Sequence, residues 1–287
     1  MRIKVGLAQI YPKLGDLAYN LATHLDYARR AREERVDLLV FPELSLTGYQ
    51  VQDLVPEVAI ETDANDKVFA ELLKATEDGE LDIVVGFVHR DRRNRFYIAN
   101  AYLSGGAALH LHHKLYLPTY AMFDESRYFA RGNSVRAFDT RFGRLGMLIC
   151  EDFWHVSPAY LLWLDGADIL ILNSSSPARG LNENDRVLST RWTELVNLAY
   201  GSMFTSYILH CNRVGYEDGK NFWGGSSVVD PDGEFMTGGL YFDEALITQE
   251  IDLNQLHRTR ARLPLLRDER PGLVRRELGR ILSENLG

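Results

Sequence analysis

Cysteine is nearly missing from this chain of 287 residues: Cys150 and Cys211 are the only two. Two thiols cannot staple a domain of this size, so the expectation is free thiols in a reducing compartment, the cytosol. Lysine is scarce as well, six of 32 basic residues, which singles out any lysine in an apolar setting, where a plain surface cation could as easily be arginine. No apolar run approaches the ~20 residues of a membrane span. The first ten residues alternate charged and apolar side chains instead of building a signal-peptide core, so neither a membrane nor a secretory route is expected. Positive charge is not in excess either. A net charge of -8 over intermingled signs argues against nucleic acid or an anionic membrane surface as the main partner and leaves a small molecule. Glycine- and proline-rich linkers are also lacking, so residues 1–256 read as one domain.

What is present is an alternation of strands and helices. Residues 2–9 predict a strand, Leu17, Leu21, Leu25 and Ala28 recur at helical spacing, and 37–41 is a short apolar strand stopped by Pro42. A helix over 63–78 and strands over 83–88, 96–103 and 109–115 follow. Further strands end at Cys150 and cover 168–173, 204–211 and 246–251, with a helix from about 183 to 200 that stops at Gly201. Ser157 and Pro158 predict the N-cap and first turn of another helix, which Gly166 ends. Such interleaving is α/β. From His257 the character changes, with Arg258, Arg260, Arg262, Arg267, Arg270 and further arginines around a short apolar cluster. This arm, 257–287, is either solvated or packed on a partner subunit, where arginine is favoured, and the second is the expectation.

Three places carry chemistry. The apolar run 144–149 delivers Cys150 to a strand end, followed at once by Glu151, Asp152, Phe153 and Trp154. A thiol there is available as a nucleophile, although burial as a small hydrophobe is the commoner fate of cysteine. Glu43 follows directly on an apolar strand and a proline, and its apolar neighbours favour a partly buried, paired carboxylate over a solvated one. Strand alternation puts His110, His112 and Lys114 on one face and His113 on the other. No glutamate or cysteine stands at ligand spacing beside these histidines, so no metal is expected. The loop after Lys114 gathers Tyr116, Tyr120, Phe123, Tyr128 and Phe129, a density of aromatics that predicts a pocket wall. The loop 173–180, with Ser176 and Arg179, suits a polar substrate group and is equally ordinary as a turn.

Phe41-Pro42-Glu43, then His113-Lys114-Leu115 with Pro118, then Leu148-Ile149-Cys150-Glu151-Asp152 stand in that order. The chain thereby resembles the nitrilase, or carbon-nitrogen hydrolase, superfamily, and most closely the glutaminase domain of glutamine-dependent NAD synthetase. That closer likeness lies in 41–49, 117–129 and 150–154. The synthetase half of such enzymes carries an S-G-G-x-D-S loop; here Ser104-Gly105-Gly106 runs into Ala107-Ala108-Leu109 and the chain stops at Gly287, so no synthetase half is expected.

The resemblance implies a four-layer α-β-β-α sandwich that forms a homodimer or higher homo-oligomer through elements near the nucleophile, here the 157–166 helix and the C-terminal arm. It implies Cys150 as nucleophile, Glu43 as base, Lys114 as cation and Glu125 as a second carboxylate near them, with the backbone N–H of Glu151 joining Lys114 at the oxyanion. Tyr49, Tyr120 and Phe123 would line the amide pocket, Trp154 would stand beside it, and Ser176 and Arg179 would meet the polar end of the substrate. An ordinary thiol, with a pKa of about 8.5, is only a few per cent ionised near neutral pH and needs such partners. The expected activity is that of an amidase releasing ammonia from a small carboxamide through a thioester, without a cofactor. The alternatives are a glutaminase subunit supplying a separate synthetase, a nitrilase, and a catalytically silent scaffold. Cys211 has no acidic pair after it and reads as a core thiol.

Overall fold

Strand alternation and helix capping divide this chain into layers. The computed structural model describes residues 1–63, 65–180, 187–238 and 240–285. Along the first half run β1 (Arg2–Gln9), α1 (Leu17–Glu33), β2 (Leu38–Val40), α2 (Val55–Val58), α3 (Lys67–Lys74), β3 (Asp82–Arg90), β4 (Phe96–Ser104) and β5 (Ala107–His113). Then come β6 (Phe138–Thr140), β7 (Gly143–Ile149), α4 (Val156–Leu164), β8 (Ile169–Ser174), α5 (Leu188–Phe204) and β9 (Tyr207–Asn212). A hairpin of β10 (Val214–Glu217) and β11 (Lys220–Trp223) leads to β12 (Ser227–Val229), β13 (Phe235–Thr237) and β14 (Ala245–Asp252). The chain closes with α6 (Asn254–Arg262), α7 (Leu265–Asp268) and α8 (Pro271–Asn285).

Among the described residues two six-stranded sheets form, ordered β14-β1-β2-β3-β4-β5 and β13-β12-β9-β8-β7-β6. Period-two alternation gives each strand an inner and an outer face. Ile3, Val5 and Leu7 of β1 meet Leu145 and Met147 of β7 and Ile169 and Ile171 of β8 in the core between the sheets. The opposite faces carry Leu39, Ile83 and Val85 against α1 and α3, and Leu148, Leu170 and Leu172 against α4 and α5. The fold is the four-layer α-β-β-α sandwich that the resemblance implies. β1, β2 and β3 are parallel, as are β7, β8 and β9. Their carboxyl ends are where a ligand is expected in such sheets.

Several boundaries differ from the sequence reading for local reasons. Asp66 accepts the N–H groups of Val68 and Phe69 at 2.9 and 3.1 Å, so the helix expected over 63–78 begins at Lys67. Helix α4 starts at Val156 with His155, not Ser157, at the cap, because the turn Cys150–Phe153 feeds the chain into it; the Ser157 hydroxyl lies 3.3 Å from that of Tyr116. Phe204 still belongs to α5, and Thr205 in the left-handed region (φ 46°) ends that helix before β9 can start. The expected start of α5 near 183 lies outside the described residues. The boundary expected at 257 falls inside α6, whose Leu256 enters the inter-sheet core and whose Arg260 binds Asp168 at 2.6 Å. Helix α8 is exposed, with Leu273, Val274, Leu278, Ile281 and Leu282 open to solvent.

Candidate active site

Glu43, Lys114 and Cys150 stand just beyond β2, β5 and β7, where regular pairing ends and side chains turn off the sheets. The turn after β2 lies tightly on β3: a Cβ at Gly86 would sit 2.4 Å from the Pro42 carbonyl and 2.7 Å from the Leu44 nitrogen. Glycine is what lets Glu43 approach. Its carboxylate is fully buried, Oε1 accepting Lys114 Nζ at 2.8 Å and Oε2 the Ser175 N–H at 2.8 Å, while Ser175 Oγ donates to the Glu43 carbonyl at 2.8 Å. The Asn173 side chain donates to the Phe41 carbonyl and accepts from Asn100 at 2.7 Å, tying β8 to the same turn.

Lys114 donates also to Glu125 Oε1 at 2.7 Å, and that oxygen accepts the Tyr49 hydroxyl at 2.5 Å. Glu125 Oε2 is buried and finds no hydrogen-bond partner among the described residues. Tyr49 is held from behind by Glu217, which accepts the N–H groups of Tyr49 and Gln50 at 2.8 and 2.6 Å and pairs with buried Arg213 at 2.6 Å. Cys150 opens the turn after β7 in the left-handed region, φ 45°. A non-glycine residue there costs of order 1–3 kcal/mol and is characteristic of sites that aim a side chain.

The electrostatics follow from burial. Burial alone would pull the Lys114 ammonium down, but the carboxylates of Glu125 and Glu43 outweigh it and hold the pKa well above the ordinary lysine range. Burial drives the Glu125 carboxyl up to about 7, against the opposing pull of Lys114 and with a further push from Glu43. Burial, then the charge of Glu43, raises the Cys150 thiol well above its usual range, so the resting sulfur carries its proton. The arrangement thus offers a protonated thiol, a carboxylate beside it that can take the proton, and a fixed cation.

Cys150 opens into a cavity of about 190 Å³ walled by Tyr120, Phe123, Glu151, Trp154, Ser176, Arg179, Ser189 and Trp192. The Arg179 guanidinium lies 5.3 Å from the Phe123 ring centroid, and Tyr120 donates to Glu151 at 2.9 Å. Five side chains expected at the pocket, Tyr120, Phe123, Trp154, Ser176 and Arg179, are on this wall. Tyr49 is not; it stands behind Phe123, edge to face at 6.3 Å, and borders a separate cavity with Gln50 and Glu125. Ser189 and Trp192 were not legible: they come from α5, distant in sequence, and no local pattern marks them. Nor was Ser175 picked out from its polar loop, although its small-donor composition was the available signal. The three neighbouring histidines separate, with His112 on Asp152 (2.9 Å), His113 on His89 (2.9 Å) and His110 stacked on Phe138. Cys211 is sealed in the inter-sheet core, its sulfur 3.2 Å from the Val40 carbonyl.

The glutamine-dependent NAD(+) synthetase of Thermotoga maritima is 34% identical over 259 residues, an overlap of 88% of this chain but 43% of the synthetase, so the chain spans less than half the length of that relative. A probable nitrilase of Schizosaccharomyces pombe is 25% identical over 285 residues, 97% of this chain and 99% of its own. The carbon-nitrogen hydrolase of Helicobacter pylori shares the fold with a TM-score of 0.85 at 22% identity, covering 97% of this chain and 99% of that one. The family model for carbon-nitrogen hydrolases matches residues 4–261, and the chain belongs to the carbon-nitrogen hydrolase family.

Proposed function

We propose that this protein is an amidase that hydrolyses a small carboxamide through a thioester on Cys150. The observation that carries the reading is the thiol at the wall of a small cavity, backed by the closed cluster of Glu43, Lys114 and Glu125. A cavity of about 190 Å³ falls below the ~300 Å³ at which pockets for drug-sized molecules begin, which favours a substrate of few heavy atoms. The sulfur adds to the amide carbon as its proton passes to Glu43. The resulting oxyanion is met by Lys114 Nζ and the N–H of Glu151, donors of the kind worth about 3 kcal/mol each. Glu43 returns the proton to nitrogen as the C–N bond breaks and ammonia leaves. Water then attacks the thioester, giving its proton to Glu43; the C–S bond breaks, the acid departs, and the sulfur recovers the proton.

One feature favours a narrower version. Glu151 and Arg179 bring opposite charges to the same small cavity, which suits an acyl group with its own ammonium and carboxylate, as in glutamine. This supports the glutaminase alternative, in which ammonia serves a separate synthetase.

Intact-mass measurement after incubation with a panel of amides, glutamine and nitriles included, tests both versions. The wild type gains the mass of one acyl group with at least one substrate, and that mass names the group. Cys150→Ala gains none and keeps its fold. Unchanged turnover in Cys150→Ala would refute the nucleophile, and no adduct or turnover with any compound would leave the scaffold alternative.

A further inference from the structure

Lys114 and Cys150 come from different sheets, the first from the end of β5 and the second from the end of β7. Between the sheets lie mostly apolar side chains, whose packing is non-directional and does not by itself fix one sheet's position on the other. An oxyanion held jointly by Lys114 and the backbone after Cys150 demands such a fix, because a misplacement of about 1 Å costs on the order of 100-fold in rate.

One fully buried carboxylate spans that gap. Asp152 Oδ1 accepts the N–H groups of Leu115 at 2.8 Å and Tyr116 at 3.0 Å, the two residues that follow Lys114. Its Oδ2 accepts the N–H of Ile149, the residue before Cys150, at 3.1 Å, and takes His112 Nε2 at 2.9 Å. A carboxylate can only accept here, so His112 carries its proton on Nε2. Four donors thus converge on a single side chain within the nucleophile's own turn, three of them from the segment 112–116 that carries Lys114. Glu43 has its own strap to the second sheet through Ser175. Lys114 is strapped to the Cys150 turn through Asp152.

We propose that Asp152, supported by His112, is a positioning residue that holds Lys114 and the backbone of the Cys150 turn in register as the two halves of one oxyanion site. This rests on the amidase reading above. Asp152 is not among the described residues that wall the substrate cavity; it acts through the two groups it joins.

The test separates steps that build an oxyanion from one that does not. Alkylation of Cys150 by iodoacetamide forms an S–C bond, expels iodide and sends the thiol proton to Glu43, with no charge developing on oxygen. Amide turnover needs both the base and the oxyanion site. In Asp152→Asn the side chain loses its acceptor for either Ile149 or the 115–116 pair. We expect kcat for the best amide to fall at least tenfold, with KM and the alkylation rate within threefold of wild type. A general structural defect would lower alkylation and turnover together, and that outcome overturns the proposal, as does unchanged kcat in the variant. A wild type inert toward every amide would instead sink the amidase reading and the oxyanion role with it. If Asp152→Asn does not fold, His112→Gln, which retains an N–H for Oδ2, is compared with His112→Leu, which has none. Gln should keep turnover and Leu lose it at unaltered alkylation; equal turnover in the two overturns the proposal.

Discussion

Glu125→Gln tests the buried charge cluster through stability, independently of any substrate. Glu125 is held at about 7 in the folded protein against an ordinary 4.5, chiefly because burial disfavours its charged form. The folded state therefore binds this proton more tightly than the unfolded chain does. Its stabilising contribution is fully present below pH 4.5 and is lost as the pH rises through about 7. At about 1.4 kcal/mol per pH unit, the gap between 4.5 and about 7 amounts to roughly 3 kcal/mol, a large part of the ~5–15 kcal/mol that holds a typical domain together. Glutamine cannot ionise, so the variant lacks this loss whatever its absolute stability. His24 and His210, buried with pKa values of about 4 and about 3, give slopes of opposite sign, but these are common to both proteins and cancel in the difference. Urea unfolding from about pH 4 to pH 8 should show wild type losing roughly 3 kcal/mol relative to Glu125→Gln. Parallel stability curves would refute the reasoning, and would mean that Lys114 keeps Glu125 ionised throughout.

Two further substitutions probe the site's shape. Gly86→Ala puts a methyl group 2.4 Å from the Pro42 carbonyl, and the backbone on both sides of Glu43 must move; we expect a loss of about 1–3 kcal/mol in stability and at least a tenfold fall in kcat, read by thermal unfolding and steady-state kinetics. Trp192→Ala removes an exposed ring from the cavity wall; it should raise KM by about tenfold with kcat within twofold and change stability by less than about 0.5 kcal/mol.

Much of the architecture was legible because it is written in local pattern. Apolar runs that stop at Pro42, just before Glu43, and at Cys150 announce strand ends, and strand ends at sheet edges are where side chains meet ligands; Lys114, read inside a strand over 109–115, stands just past the end of β5. The helix α1 and strand β1 follow from spacing alone. The knot at Asp152 was invisible for the opposite reason: its partners are Ile149 next door and residues 112–116 some forty positions away, and no period links them. Tyr49 was expected on the pocket wall because the family resemblance implies it at that position. The structure puts its hydroxyl on Glu125 instead, where a buried phenol finds an acceptor. Ser157 looked like an N-cap, yet the turn begun at Cys150 had already set the chain on a helical course by Val156.

The second thiol has a use of its own. Cys211 lies at the centre of the apolar layer that joins the two sheets, fully buried and with its pKa driven up by that burial. A reagent reaches it only when the layers part. In the Cys150→Ala background it becomes the sole thiol, and its modification rate becomes a clock for the opening of the sandwich. Wild type then reports chemistry at one cysteine, and Cys150→Ala reports global opening at the other.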